Sequence, residues 1–384
     1  MIEDKNPFGP TPGTRLTKFL PEFGQTAPRP LIGVLKGTGI GPDVVGAALE
    51  VLKAVEDVTG LKFELRHGGA IGEEAEAECG QPLTEAVACF CEDIFEEGGA
   101  ILSGPGGGRY VYDLRRHFDL FCKFVPVVAY PELGRAGKLL ADHVAGLDLL
   151  IVRDNIGGVY QGQWKDEMVD GVRVAEHCFR YDETEVARLV EVAARAAAAR
   201  SSTLHIIVKE GGVPGITALW REVGIATARR FCVEAEMMNV DLAAYEMIQN
   251  PRRFDVMVAP NLIGDILADA AGVLVSSRGV TFSGNYTPAA HGVYQTNHGC
   301  AHDLARTGTA NPGGQILSLA MLLRESLNQP DAAELVEQAL FRAWAEGWRT
   351  ADIAEPGCVI LGTEAMTEKV VEQISHAAAV QPER

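Results

Sequence analysis

Short apolar runs return along this chain with room for one helix between most of them, and that rhythm constrains the fold more than any other feature. The runs lie at 31–35, 100–102, 149–152, 204–208 and 256–259, while 46–58, 183–199 and 314–325 repeat their apolar residues at helical spacing. Strand-length runs alternating with longer helices point to an α/β architecture. At 384 residues, 47% of them apolar and 22% charged, the chain is long enough for two domains and able to bury a core. Residues 1–30 are rich in Pro, Gly and Thr and read as an N-terminal extension, an arm held loosely by the rest.

The first run leads into Gly37-Thr38-Gly39-Ile40-Gly41-Pro42-Asp43 and then an amphipathic stretch. A strand, a glycine turn and a helix opened by proline invite a dinucleotide-fingerprint reading, but the spacing excludes it. The fingerprint needs a third glycine three residues after the second. Here Pro42 follows Gly41, and a proline removes a backbone donor where a pyrophosphate would need one. The fingerprint reading therefore fails, and a nucleotide would have to bind elsewhere.

The strongest chemical signal is Asn261-Leu-Ile-Gly-Asp265-Ile-Leu-Ala-Asp269, with Asp241 upstream. If a helix starts near Gly264, Asp265 and Asp269 stand one turn apart on one face. Stacked carboxylates favour a cation, and oxygen donors without neighbouring His or Cys suit a hard ion such as Mg2+ or Mn2+. Taken alone, the same pattern also describes a solvated acidic helix end.

Further motifs settle into one order. Gly37 to Asp43, Gly68-Gly-Ala, Gly80-Gln-Pro-Leu83, Leu114-Arg115-Arg116, Val152-Arg153 through Gly158-Val-Tyr160, Lys209, Asp241, Asn261 to Asp269, and His298-Gly-Cys-Ala-His-Asp303 through Ala310-Asn311-Pro312 follow one another along the chain. In that order they resemble the isocitrate and isopropylmalate dehydrogenases, the metal-dependent β-decarboxylating dehydrogenases. The resemblance implies an isopropylmalate-dehydrogenase-like two-domain α/β fold with a cleft between the domains, not a Rossmann fold. Residues 31–125 plus 284–384 would form the cofactor-side domain, and 126–283 the central domain with the metal ligands and a dimer interface. It implies oxidation of a 2-hydroxy acid by NAD followed by loss of the β-carboxylate as CO2. Asp241, Asp265 and Asp269 would hold Mg2+ or Mn2+, and Lys209 and Tyr160 would serve as base and acid. A lysine beside a divalent cation and an arginine gives up its proton more readily than one in water. Arg115 and Arg153 match two of three arginines that clamp substrate carboxylates.

His298, Gly299, Ala301, Asp303 and Asn311 match an adenosine-binding segment. A carboxylate at Asp303 accepts hydrogen bonds from ribose hydroxyls and repels a 2'-phosphate, which favours NAD over NADP. The resemblance also implies a homodimer whose Lys209 and Asp241 reach into the partner's site.

The departures are specific. Val125 stands where the family has its third arginine, with Lys123 two residues earlier and, in an extended segment, on the same face. The loop Gly104-Pro-Gly-Gly-Gly108-Arg109-Tyr110 matches neither subfamily's specificity segment. Arg109 is either a reader of an anionic C3 substituent or a surface arginine. Thr38, Gly211, Gln295 and His302 replace the family's Asp, Asn, Glu and Pro. The substrate is left open among isocitrate, homoisocitrate, isopropylmalate, a smaller alkylmalate, tartrate and a phosphonate analogue. A non-catalytic, regulatory-subunit-like relative that binds metal and acid without turnover is the alternative.

A formal net charge of −18 repels a phosphate backbone and argues against nucleic-acid binding. No apolar run approaches the roughly 18 residues of a membrane span, and the N-terminus has no basic-then-apolar leader. Eight Cys without Cys-x-x-Cys or zinc spacing read as reduced thiols of a cytoplasmic enzyme.

Overall fold

The computed structural model describes residues 15–24 and 27–380. Its elements run β1 (Leu31–Leu35), α1 (Gly41–Thr59), β2 (Glu64–His67), α2 (Glu73–Cys79), α3 (Glu85–Glu96), β3 (Ala100–Ser103), α4 (Tyr110–His117), β4 (Cys122–Val128), α5 (Ala141–Val144) and β5 (Asp148–Asp154). There follow β6 (Gln163–Val169), β7 (Val172–Cys178), α6 (Glu183–Ala198), β8 (Thr203–Val208), α7 (Pro214–Arg230), β9 (Glu234–Asn239), α8 (Val240–Gln249), β10 (Val256–Ala259) and α9 (Asn261–Ala270). The chain closes with β11 (Phe282–Tyr286), β12 (Gly292–Thr296), α10 (Gly313–Glu325), α11 (Pro330–Ala345) and α12 (Thr363–Val380). The apolar runs read from sequence are β1, β3, β5, β8 and β10, and the periodic segments are α1, α6 and α10.

One ten-stranded sheet spans the molecule in the order β2-β1-β3-β12-β11-β4-β5-β10-β8-β9. Each end is a parallel run, and between them β11 and β4 pair antiparallel with each other and with their outer neighbours. The expected division at 125/126 and 283/284 falls inside β4 and β11, so the two parts share backbone hydrogen bonds rather than a linker. The main apolar core continues through the whole sheet, with a smaller cluster beneath β1, β3, α3 and α4. Helix ends follow local rules. Pro42 sits in the first turn of α1 and Gly60 ends it at φ +75°, while Asp182 and Glu185 cap α6 reciprocally.

The arm expected at 1–30 lies partly outside the described residues, at 1–14 and 25–26. The described part is docked rather than loose. Leu16, Phe19 and Leu20 are buried in the main core, and Thr17 donates from N and Oγ1 to the Glu325 carboxylate at 2.9 and 3.0 Å. Their spacing of three and four residues makes one apolar face, which the surrounding Pro and Gly obscured in the sequence. No helix among the described residues is long and apolar enough to cross a membrane.

Candidate active site

The chemistry gathers where parallel strands end, the usual place for a site in an α/β sheet. Arg153 lies near the end of β5, Lys209 follows β8, Asp241 follows β9, and Asn261 opens α9 directly after β10. The start of β4 adds Lys123 from the antiparallel side, directly across from Arg153 in register. α4 brings Arg115 to the same place, as its pKa couples to Arg153.

Three cations are thus buried together. Arg115, Lys123 and Arg153 are 5%, 3% and 1% exposed. Burial, then the charge of Arg153, pulls Arg115 down to about 9. Burial, then Arg115 and Arg153, holds Lys123 well below the ordinary lysine value. The Lys123 ammonium has no carboxylate at ion-pair distance among the described residues. Val125, on the same face by strand alternation, is buried in apolar core. A concentration of buried positive charge without enough counter-charge is a site prepared for a multiply charged anion.

Asp265 supplies the directly paired counter-charge, while Asp154 and Asp269 act on the trio without an ion pair to it. The Asp265 carboxylate takes Arg153 Nη1 on one oxygen and the Tyr160 hydroxyl, at 2.8 Å, on the other. Burial pushes this carboxyl up, but Arg153, Tyr160 and Lys123 together bring it below the usual range. Tyr160 is shifted the opposite way, upward, by burial and by donating to Asp265. Asp269, one turn on, pairs with Arg278 at 2.9 Å, yet burial keeps its pKa raised and the charge of Asp265 adds to that. Two oxygen-donor carboxylates on one helical face, the first raising the second's cost of ionisation, are the donor type that suits a hard divalent cation. Asp241 is not brought to them within the chain. It pairs instead with Lys209 Nζ at 3.1 Å, both exposed, and this pair holds its carboxyl below the usual value.

A buried network fixes α9, and sequence reasoning missed most of it. Asp154 accepts from the Tyr181 hydroxyl at 2.8 Å and from Gly157 N at 3.1 Å, and Tyr181 in turn accepts from Asn261 N at 3.0 Å. The Asn261 amide accepts from Arg153 Nη2 at 2.8 Å and donates to the Gly157 carbonyl at 3.0 Å. Gly264 permits the close approach of helix and arginine, since a Cβ there would meet Arg153 Cγ at 2.7 Å. Nothing in a lone Asp or Tyr announced this chain of bonds. Its legible members were Asn261 and Arg153.

Arg109, at the N-terminus of α4, is pinned rather than free. It donates to the Tyr160 carbonyl at 3.1 Å, and its guanidinium carbon lies 5.0 Å from both the Tyr112 and Trp164 rings. Trp164 belongs to the β6–β7 hairpin, so three elements meet at this arginine.

The other sequence candidates lie on the loop after β12. His298 is half-buried, with burial lowering its pKa, while Gly299 and Asp303 are exposed. Ala301 turns the chain at φ +42°. Asn311 is buried and committed within the chain, accepting from Gly313 N at 2.8 Å and donating to Asp352 at 3.0 Å. Asp352 also accepts from Ser277 and Thr350 and was not among the sequence candidates.

Comparison with known proteins identifies the family. The profile of the isocitrate/isopropylmalate dehydrogenase family matches residues 31–374. A 3-isopropylmalate dehydrogenase of Burkholderia thailandensis is 39% identical over 360 residues, covering 88% of this chain and 99% of that protein. One from Cupriavidus metallidurans is 38% identical over the same length and the same shares. The crystal structure of isocitrate dehydrogenase from Methylococcus capsulatus superposes with a TM-score of 0.79 at 28% identity, covering 90% of this chain and 99% of that one. With motif order, sheet topology and a match over nearly its whole length in agreement, the chain belongs to the isocitrate/isopropylmalate dehydrogenase family and is an oxidoreductase acting on CH–OH groups.

Proposed function

We propose that this enzyme oxidises and decarboxylates a 3-substituted malate, with NAD as hydride acceptor and Mg2+ or Mn2+ held by Asp265, Asp269 and Asp241. The observation that carries the reading is the buried trio Arg115, Lys123 and Arg153 beside Asp265. When bound, the nicotinamide accepts hydride from C2 and the divalent ion polarises the C2 oxygen. The protein's own groups do the rest. Arg115 and Arg153 bind the carboxylates bidentately, and Lys123 supplies as a point charge what the absent third arginine would have supplied as a fork.

Lys209 takes the hydroxyl proton. Tyr160, with its proton held firmly by burial and by Asp265, delivers one to C3 once CO2 has left. Arg109 reads the C3 substituent, and its fixed position between Tyr112 and Trp164 suits a carboxylate or phosphonate there. His298, Gly299, Ala301, Asp303 and Asn311 line the adenosine side, Asn311 through its backbone, since its amide is already committed. Asp303 selects against a 2'-phosphate.

Lys209 and Asp241 serve a partner's site in a homodimer. Support comes from their exposure and from the surface around them. An apolar recess of about 420 Å3 beside Lys209 is lined by Phe179, Val213, Ile216, Ile263 and Ile266.

The test is NADH formation by the purified protein with Mn2+ or Mg2+ against a panel of 3-substituted malates. One acid turned over with NAD, abolished by chelation and lowered about 10²–10⁴-fold in Lys209→Ala, is the expected result. Undiminished turnover in that variant, or none with any acid, refutes the assignment.

A further inference from the structure

Two of the family departures, Thr38 and His302, meet in space. Cys300 Sγ, His302 Nε2 and a Glu73 carboxylate oxygen all lie within 4.8 Å of one another, the one such group of potential metal ligands among the described residues. The three come from α2 and from the loop after β12, elements far apart in sequence. Cys300 is 7% exposed, with Thr38 Oγ1 at 3.1 Å from its sulfur, while His302 Nε2 and Glu73 face each other at 2.9 Å. A tetrahedral ion holds its donors within about 4 Å of one another, so small side-chain rotations suffice to close this set.

We propose that Cys300, His302 and Glu73 form a binding site for a thiophilic divalent cation of the Zn2+ class, with its fourth position open to solvent. One thiolate, one imidazole and one carboxylate are a donor set that Zn2+ favours and Mg2+ does not, so the site is chemically separate from the aspartates. The backbone holds the donors in place beforehand. The Cys300 carbonyl accepts from Ile40 N at 2.9 Å, Glu73 N donates to the Gly106 carbonyl at 2.9 Å, and Thr38 bridges with N to Pro105 O at 2.7 Å and Oγ1 to Gly106 O at 3.1 Å. Binding replaces the thiol proton, which leaves to solvent. The His302 ring adopts the tautomer with its proton on Nδ1, freeing Nε2 for the ion.

The site joins α2 to the segment that carries His298, Gly299, Ala301 and Asp303. On the NAD-binding reading of that segment, an occupied site ties it to α2, so cation binding and dinucleotide binding are linked.

The test uses the reduced full-length protein with excess Mg2+ to fill the aspartates, and Co2+ as the spectroscopic probe. One equivalent of Co2+ is expected to bind with a near-ultraviolet thiolate-to-metal band. The band is lost in Cys300→Ser, and affinity falls by about tenfold or more in His302→Gln and Glu73→Gln. The last two alter exposed residues and keep the test decisive even where the serine variant folds poorly. A band unchanged in all three variants assigns the signal to other thiols and overturns the site, as does the absence of any band. Fluorescence of bound NADH separates the two claims. A change in NADH affinity on Co2+ addition supports the linkage, and an unchanged affinity at saturating Co2+ overturns it. A protein that binds no NADH at all refutes the cofactor assignment while leaving the cobalt band to stand.

Discussion

At the scale of residues, Lys123 carries the most information for its size. A buried ammonium opposite Arg153 and coupled to Arg115 is unfavourable until an anion arrives. Its folded pKa is depressed, so in the free enzyme the proton is lost as pH rises through that lowered value. Affinity for a malate dianion should be full below it and fall above it, with proton uptake on binding in that window. Calorimetric titration in buffers of different ionisation enthalpy reads this directly, and no uptake, or equal uptake in Lys123→Met, refutes the role. The unfolded chain keeps the proton up to the ordinary lysine value, so Lys123 makes stability rise with pH between its lowered and ordinary pKa. Lys123→Met should therefore raise stability by about 0.5–2 kcal/mol near neutrality while weakening substrate binding about 10–100-fold. Denaturant midpoints and KM check the two halves separately. The sequence made Lys123 readable because strand alternation places positions 123 and 125 on one face. It left Asp154, Tyr181 and Asp352 hidden, because a buried hydrogen-bonding residue carries no mark in its immediate neighbours.

At the scale of elements, α9 shows how a helix is positioned to the precision that chemistry needs. The pairing of Asp265 with Asp269 on one turn was legible, although the helix begins at Asn261 rather than near Gly264. What sets its height over the sheet was not legible, namely Gly264 against the Arg153 stem and Asn261 tied to Tyr181 and Gly157. Gly264→Ala separates propensity from fit. Alanine favours an isolated helix by about 1 kcal/mol over glycine, yet its Cβ would overlap atoms near the root of a buried side chain rather than a flexible tip. The expected net result is a loss of about 1–3 kcal/mol with a fall in kcat, since Arg153 and Asp265 move together. A variant more stable than the parent in urea, with unchanged kcat, would show that the gap is slack. The strands missed from sequence, such as β11 and β12, have polar residues at buried positions because Ser283, Asn285 and Tyr294 bond within the sheet or to a helix. Hydropathy alone passes over strands of that kind.

At the scale of the whole molecule, two groups of exposed apolar side chains stand out. Leu242, Tyr245 and Ile248 recur at helical spacing on α8, and Ile266 on α9 is exposed while lining the recess beside Lys209. The β6–β7 hairpin also exposes Trp164, Met168 and Val172, and an isolated two-stranded hairpin is marginal in water unless something covers it. The proposed homodimer would cover both faces. Tyr245→Glu with Ile266→Glu should yield a monomer by sedimentation that has lost turnover, whereas an active monomer would sink the shared site. An assembly of this kind is an expectation drawn from family resemblance alone, because spacing within one chain says nothing of a second. The unbroken sheet has a further consequence, a mechanical one. The polypeptide passes between the two parallel runs through β4 and returns through β11, and these two strands are hydrogen-bonded to each other. The molecule therefore bends as a leaf spring does, by twist spread over two central strands. Neither half can be cut out as a free-standing piece without baring the open edge of a sheet.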